Sequence, residues 1–160
     1  MKTLIIAIGN GGCNVADSLR AQLPETFEFV LFNPVDAKAS CTLLLSDDAE
    51  IEKLFKPDVK RIVVVVCLGG FTGSHYAPRV VSKAVKAGVP VTCIATMPFA
   101  FEGKKREERA NDALVELRKW SNDVLVLRND EFFEKYPDLT IVGAFKKIDI
   151  EVGDSIKRYA

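Results

Sequence analysis

One histidine, one tryptophan and two methionines are all that the 160 residues hold of those types. With His75 as the lone imidazole, histidine-rich metal centres are excluded, and most histidine-based acid–base or nucleophilic schemes lack their parts. Neither sign of charge is in surplus: 22 Lys and Arg face 22 Asp and Glu. That balance excludes the basic footprint that nucleic acid demands. Long apolar runs are missing too. Met1–Ile8 stops at Gly9, far short of the roughly 18 residues of a membrane span, and it lacks the cationic start and cleavage site of a secretory leader. The four cysteines (Cys13, Cys41, Cys67, Cys93) form no C-x-x-C pair, as expected of reduced thiols in a cytoplasmic protein. Neither nucleic acid nor membrane is an expected partner.

What is present is a regular alternation. At 48% apolar and 28% charged residues, the chain has a globular composition, and its length suits one domain at roughly 150 residues each. Leu4–Ile8, Phe29–Phe32, Ile62–Leu68, Val91–Ala95 and Asp123–Leu127 read as strands, the third a continuous run buried on both faces. Helical spacing appears in 13–23, in Asp47–Phe55, through Ala77, Val80, Val81, Ala84 and Val85, in Lys104–Trp120, and through Ile141, Phe145, Ile148, Val152 and Ile156. The prediction is an α/β fold: a three-layer, Rossmann-like parallel sheet with helices on both faces.

In such sheets ligands bind beyond the carboxyl ends of the strands. The first strand runs into Gly9-Asn10-Gly11-Gly12-Cys13-Asn14 and the central strand into Gly69-Gly70-Phe71-Thr72-Gly73-Ser74-His75. Glycines admit a close approach of phosphate, and a helix N-terminus supplies free N–H groups. An ordinary strand–helix turn accounts for either loop alone, less readily for both on neighbouring strands. The fourth strand leads to Pro98-Phe99-Ala100-Phe101-Glu102-Gly103-Lys104-Lys105-Arg106, where Glu102 suits a ribose hydroxyl and Arg106 a phosphate or carboxylate. At Asn129-Asp130 an amide or carboxylate can read a base edge, although a helix N-cap is the commoner use.

Gly11-Gly12-Cys13-Asn14, Gly69–Ser74, Pro98–Arg106 and Asn129-Asp130 occur in the order found in FtsZ, and the chain resembles the nucleotide-binding half of the FtsZ/tubulin family. The resemblance implies a cell-division GTPase fold whose ligand is GTP or GDP, with Mg2+ accompanying GTP. It implies that Gly9, Asn10, Gly11, Gly12 and Asn14, together with Gly69, Gly70, Phe71, Thr72 and Gly73, hold phosphates. Asn33, Glu102, Arg106, Asn129, Phe145 and Asp149 then serve the ribose and base.

The departures shape the functional expectation. Phe71 and His75 stand where the family signature has glycines, adding bulk and opposing a positive φ at the phosphate loop. Lys38–Ser46 carries no glycine where the family has its γ-phosphate-sensing loop. Residues 1–160 are read as one domain, without the family's second, C-terminal domain, and Asp149, Glu151 and Asp154 do not reproduce its N-x-D-x-x-D catalytic loop. A guanine-nucleotide module with little hydrolysis or polymerisation of its own follows, with no catalytic residue and no metal ligand assigned. Its expected partners are a second copy of itself or an FtsZ-like division protein. The alternatives are an interaction protein that has lost nucleotide binding, and an enzyme using Cys13 as a nucleophile at a helix N-terminus. Ile148, Ile150, Val152 and Ile156 span more than one helix face, which predicts an apolar strip left uncovered.

Overall fold

Five consecutive β-branched residues, Ile62–Val66, form the centre of the longest strand and are fully or nearly fully buried. A run with no polar face can only sit in the middle of a sheet covered on both sides. The computed structural model, which describes residues 2–19, 27–32 and 51–158, places it so. Strands β1 (Lys2–Ile8), β2 (Phe27–Phe32), β3 (Val59–Cys67), β4 (Val91–Met97) and β5 (Val124–Arg128) are all parallel, in the order β2-β1-β3-β4-β5. Register pairs Leu4 with Ile62 and Ile8 with Val66 across β1 and β3.

Period-two alternation divides the core. Leu4, Ile6, Ile8, Val64 and Val66 face α2 (Phe71–Lys86) and α3 (Lys104–Trp120), meeting Ala77, Val80, Val81, Ala113, Leu114 and Leu117. Ile5, Val63, Val65 and Ile94 face the other layer, built from α1 (Gly9–Leu19), α4 (Asn129–Lys135) and α5 (Ile141–Lys157). In α5, Ala144, Ile148, Val152 and Ile156 recur every four residues on one buried stripe. Each of the larger side chains contributes about 1.5–3 kcal/mol of burial. Ile150 is off that stripe and 61% exposed, alongside exposed Ile141 and Val142. Thr140 starts the helix as its N-cap, accepting from the Gly143 N–H at 3.0 Å.

The five predicted strands are all present, and the fold class is the predicted one. Boundaries moved where tertiary contacts overrode local preference. The first helix begins at Gly9 rather than Cys13, and α2 begins at Phe71 rather than near Ala77, so both glycine-rich loops are largely helical first turns. β3 starts at Val59, drawn out by pairing of Lys2 with Val59. The short α4 has no helical stripe in the sequence. Of the helix expected at Asp47–Phe55, Ile51 and Glu52 are helical, while 47–50 lie outside the described residues. Lys38–Ser46 and the expected end of the first helix beyond Leu19 lie outside them as well.

Sequence neighbours β1 and β2 lie to one side of β3 and β4 to the other, so the strand order reverses between β1 and β3. The connections there leave on opposite faces, α1 on one and α2 on the other, which opens a crevice at that point.

Candidate functional site

A cleft of about 670 Å³ occupies that crevice and extends along the carboxyl ends of β3, β4 and β5. It is lined by Gly9, Gly11 and Asn14 after β1; by Gly70, Phe71, Thr72 and Gly73 after β3; by Glu102 and Arg106 after β4; and by Asn129, Phe145 and Asp149 beyond β5. Twelve predicted site residues, from five segments of chain, thus share one cavity. Cys67, Thr96, Pro98 and Ile148 complete much of the wall. Asn33 and the side chain of Asn10 lie outside the described residues.

Two predicted glycines, Gly12 and Gly69, are not among the residues lining the cleft, and packing and backbone geometry require glycine at both. A Cβ on Gly12 would stand 2.7 Å from the Val65 carbonyl oxygen, so glycine is what lets α1 lie directly on β3. Gly69 has φ +106°, and a Cβ there would crowd Pro98 and the Arg106 carbonyl. Gly73 combines both roles: it lines the cleft, and its own Cβ would meet Val66 Cγ2 at 2.8 Å.

Phe71 does not meet the conformational conflict expected of it. The left-handed backbone falls at Gly9 and Gly69, whereas residue 71 is the first of a helix. Its ring is 70% exposed and stacks on His75 at 5.9 Å between centroids. His75 faces away from the cleft, into a groove between α2 and α3 that it shares with Phe71, Ser74, Arg109 and Trp120.

The P-F-x-F-E-G-x-x-R string is held by packing and by one carboxylate. Phe99 is buried and touches three rings: Phe101 at 4.9 Å, Phe133 at 4.7 Å and Phe145 edge-on at 5.2 Å. It thereby fixes the Phe145 ring in the cleft wall. Glu102 accepts from the Phe99 N–H at 2.6 Å, closing the 3₁₀ turn Ala100–Glu102, and lies 3.4 Å from Arg106 Nε. Asp130, beside Asn129, accepts from the Ala100 N–H at 3.0 Å and ties the turn to α4.

Electrostatics distinguish the far end. Asn129 is buried, and its Oδ1 has no hydrogen-bond partner. An acceptor left so costs about 1–3 kcal/mol unless something donates to it. Nearby on α5, half-buried Asp149 has its pKa raised by desolvation. Desolvation also pushes the Cys67 thiol up to about 11, with Asp149 and Glu102 adding to it against a lowering bond from Thr96. Burial thus favours the neutral thiol in this part of the wall. Cys13, the alternative nucleophile, is likewise buried, and its Sγ donates to the Ala7 carbonyl at 3.7 Å. Among the described residues no group of three or more His, Cys, Asp or Glu could hold a metal ion, and no helix is long and apolar enough to cross a membrane.

Glycine-lined helix starts, a hydrogen-bonded carboxylate and arginine, an aromatic ring and one orphaned acceptor line a single cleft at the switch point of a doubly wound α/β domain, the place where such sheets take their ligands. The tubulin/FtsZ family model, GTPase domain, matches residues 38–137. The chain belongs to the tubulin/FtsZ family of GTPases. Cell division protein FtsZ of Methanothermobacter thermautotrophicus is 40% identical over 97 residues, covering 60% of this chain and 26% of that protein. Mitochondrial division protein fszA of Dictyostelium discoideum is 28% identical over 96% of this chain and 35% of its own length. An FtsZ dimer from M. jannaschii superposes with a TM-score of 0.86 at 26% identity, covering 98% of this chain and 53% of that one. The chain thus spans between about a quarter and a half of these relatives.

Proposed function

We propose that the protein binds GDP and GTP in this cleft and turns GTP over slowly. The observation that carries the reading is the unpartnered Oδ1 of buried Asn129, a residue that lines the same cavity as both glycine loops. Guanine offers N1–H and N2–H donors on one edge, and Asn129 and Asp149 are the acceptors suited to them. Phe145 supplies a ring for the base, and Glu102 and Arg106, which line the same cleft, suit a ribose hydroxyl and an anion. The N–H groups at the starts of α1 and α2 suit phosphates. Mg2+ would come with GTP, held by phosphate oxygens and water.

Slow turnover is inferred from the acids present. Of the two carboxylates that line the cleft among the described residues, Glu102 is engaged by the Phe99 N–H and Arg106, and Asp149 sits with the proposed base contacts. Neither is free to activate water at a γ-phosphate. On this reading residues 1–160 act as one nucleotide-binding domain of a division protein, pairing with a second copy or with an FtsZ-like partner.

Calorimetry with GDP, GTP and ADP at about 100 µM protein tests the assignment over micromolar affinities. Heat with both guanine nucleotides and none with ADP is expected. Absence of heat, together with no nucleotide released on denaturing the purified protein, would leave an interaction protein as the better description. Phosphate release at the rate of a filament-forming GTPase would overturn the slow-turnover claim.

A further inference from the structure

Gly69 is the residue of the second glycine loop that takes a left-handed backbone. Its φ of +106° excludes most side chains, and Pro98 and the Arg106 carbonyl close the space a Cβ would take. Both of its backbone polar groups are held by side chains. The Gly69 N–H donates to Ser74 Oγ at 2.9 Å, and the Gly69 carbonyl accepts from Arg109 Nη1 at 2.9 Å, forty positions along the sequence. Neither Ser74 nor Arg109 lines the nucleotide cleft. Both line the separate groove between α2 and α3, so the loop is gripped from behind.

The direction of that grip matters. In a trans peptide the carbonyl of one residue and the N–H of the next point opposite ways, and the described residues contain no cis peptide. Drawing the Gly69 carbonyl toward Arg109 turns the Gly70 N–H away from it, and Gly70 lines the cleft. Two consecutive glycines have almost no intrinsic preference between the alternative orientations of the peptide joining them. A guanidinium is a strong, permanently charged donor, well suited to selecting one.

We propose that Arg109 is a positioning residue for phosphate capture: it holds the Gly69 carbonyl from the α2–α3 side and so presents the Gly70 N–H to an anion in the cleft. The inference rests on the nucleotide reading above, but it concerns a residue outside the cleft that touches no ligand.

The test compares guanosine, which has no phosphate, with GDP. Arg109→Met should weaken GDP binding about tenfold, the loss of a charge-assisted bond that orders the loop, and leave guanosine affinity unchanged. Arg109→Lys, which keeps a donor, should recover part of the loss, and it carries the comparison if the methionine variant does not fold. Equal weakening of guanosine and GDP would mean a merely structural role and overturn the proposal, as would unchanged GDP binding. Amide hydrogen exchange at Gly69, whose N–H is held by Ser74 Oγ, supplies an independent reading in ligand-free protein. Faster exchange in Arg109→Met supports the grip; unchanged exchange refutes it. Wild-type protein that binds neither ligand would count against the nucleotide reading, and the exchange result would then decide the grip alone.

Discussion

Replacing Asn129 by alanine separates a residue kept for folding from one kept for a ligand. In the ligand-free protein Asn129 Oδ1 is buried without a donor, a debt of about 1–3 kcal/mol that alanine removes. Against it stands the void left by the truncated amide, a loss of about 1–2 kcal/mol if the site does not collapse. The two nearly cancel, so melting of the free protein should move by no more than about 4 °C. With ligand the balance changes. GDP at a hundred times its Kd should raise the wild-type stability by about 2.7 kcal/mol, or about 5–10 °C for a domain of this size. Alanine leaves a guanine donor unpaired, costing about 1–3 kcal/mol of binding. The GDP-induced shift, at the same GDP concentration, should therefore shrink by a third or more. Scanning calorimetry of both proteins, with and without GDP, measures all four numbers. A ligand-free melting point more than about 5 °C below wild type, with the GDP shift intact, would refute the reasoning and make Asn129 a structural amide.

Gly12→Ala should cost about 1–3 kcal/mol, read as a lower denaturant midpoint, because its Cβ would lie 2.7 Å from the Val65 carbonyl and drive α1 off β3. Phe71→Ala should leave melting within about 2 °C, since the ring is 70% exposed, and GDP should bind no more weakly without it. Asp149 has a raised folded-state pKa, so between its unfolded and folded values the native state holds the extra proton and stability falls as pH rises. Asp149→Asn should therefore flatten that part of the stability–pH profile and melt higher at pH 7. The same raised pKa predicts that wild-type GDP affinity declines on acidification earlier than an ordinary carboxylate near 3.9 would allow, a dependence that calorimetry at stepped pH would find missing in Asp149→Asn.

Much of this was legible in the chain because it depends on local periodicity. A run such as Ile62–Val66 has no polar side and must be covered on both, and glycines directly after buried strands mark close approach wherever they occur. The four motifs in their order were enough for the family, and twelve of the proposed contact residues do meet in one cavity. Helix starts were misjudged for the converse reason. Glycine-rich segments read as loops by propensity, but Gly12 and Gly73 are helical because their lack of a Cβ lets α1 and α2 rest on β3.

Roles within the motifs were decided by contacts that sequence spacing does not encode. Glu102 looks like a ribose ligand in the string, yet its carboxylate also closes a 3₁₀ turn and pairs with Arg106. Phe71, expected to obstruct the phosphate loop, begins a helix because Gly69 takes the left-handed turn before it. Arg109 carried no signal, since its partner is a backbone carbonyl forty residues away. The sequence by itself determined the parallel sheet, the two glycine loops and the family, all of which rest on residue type at short range. Only the tertiary structure decided which glycines line the cleft, which brace a helix on a strand, and which distant arginine holds the loop. Those distinctions arise from the packing of segments that meet only when the chain has folded.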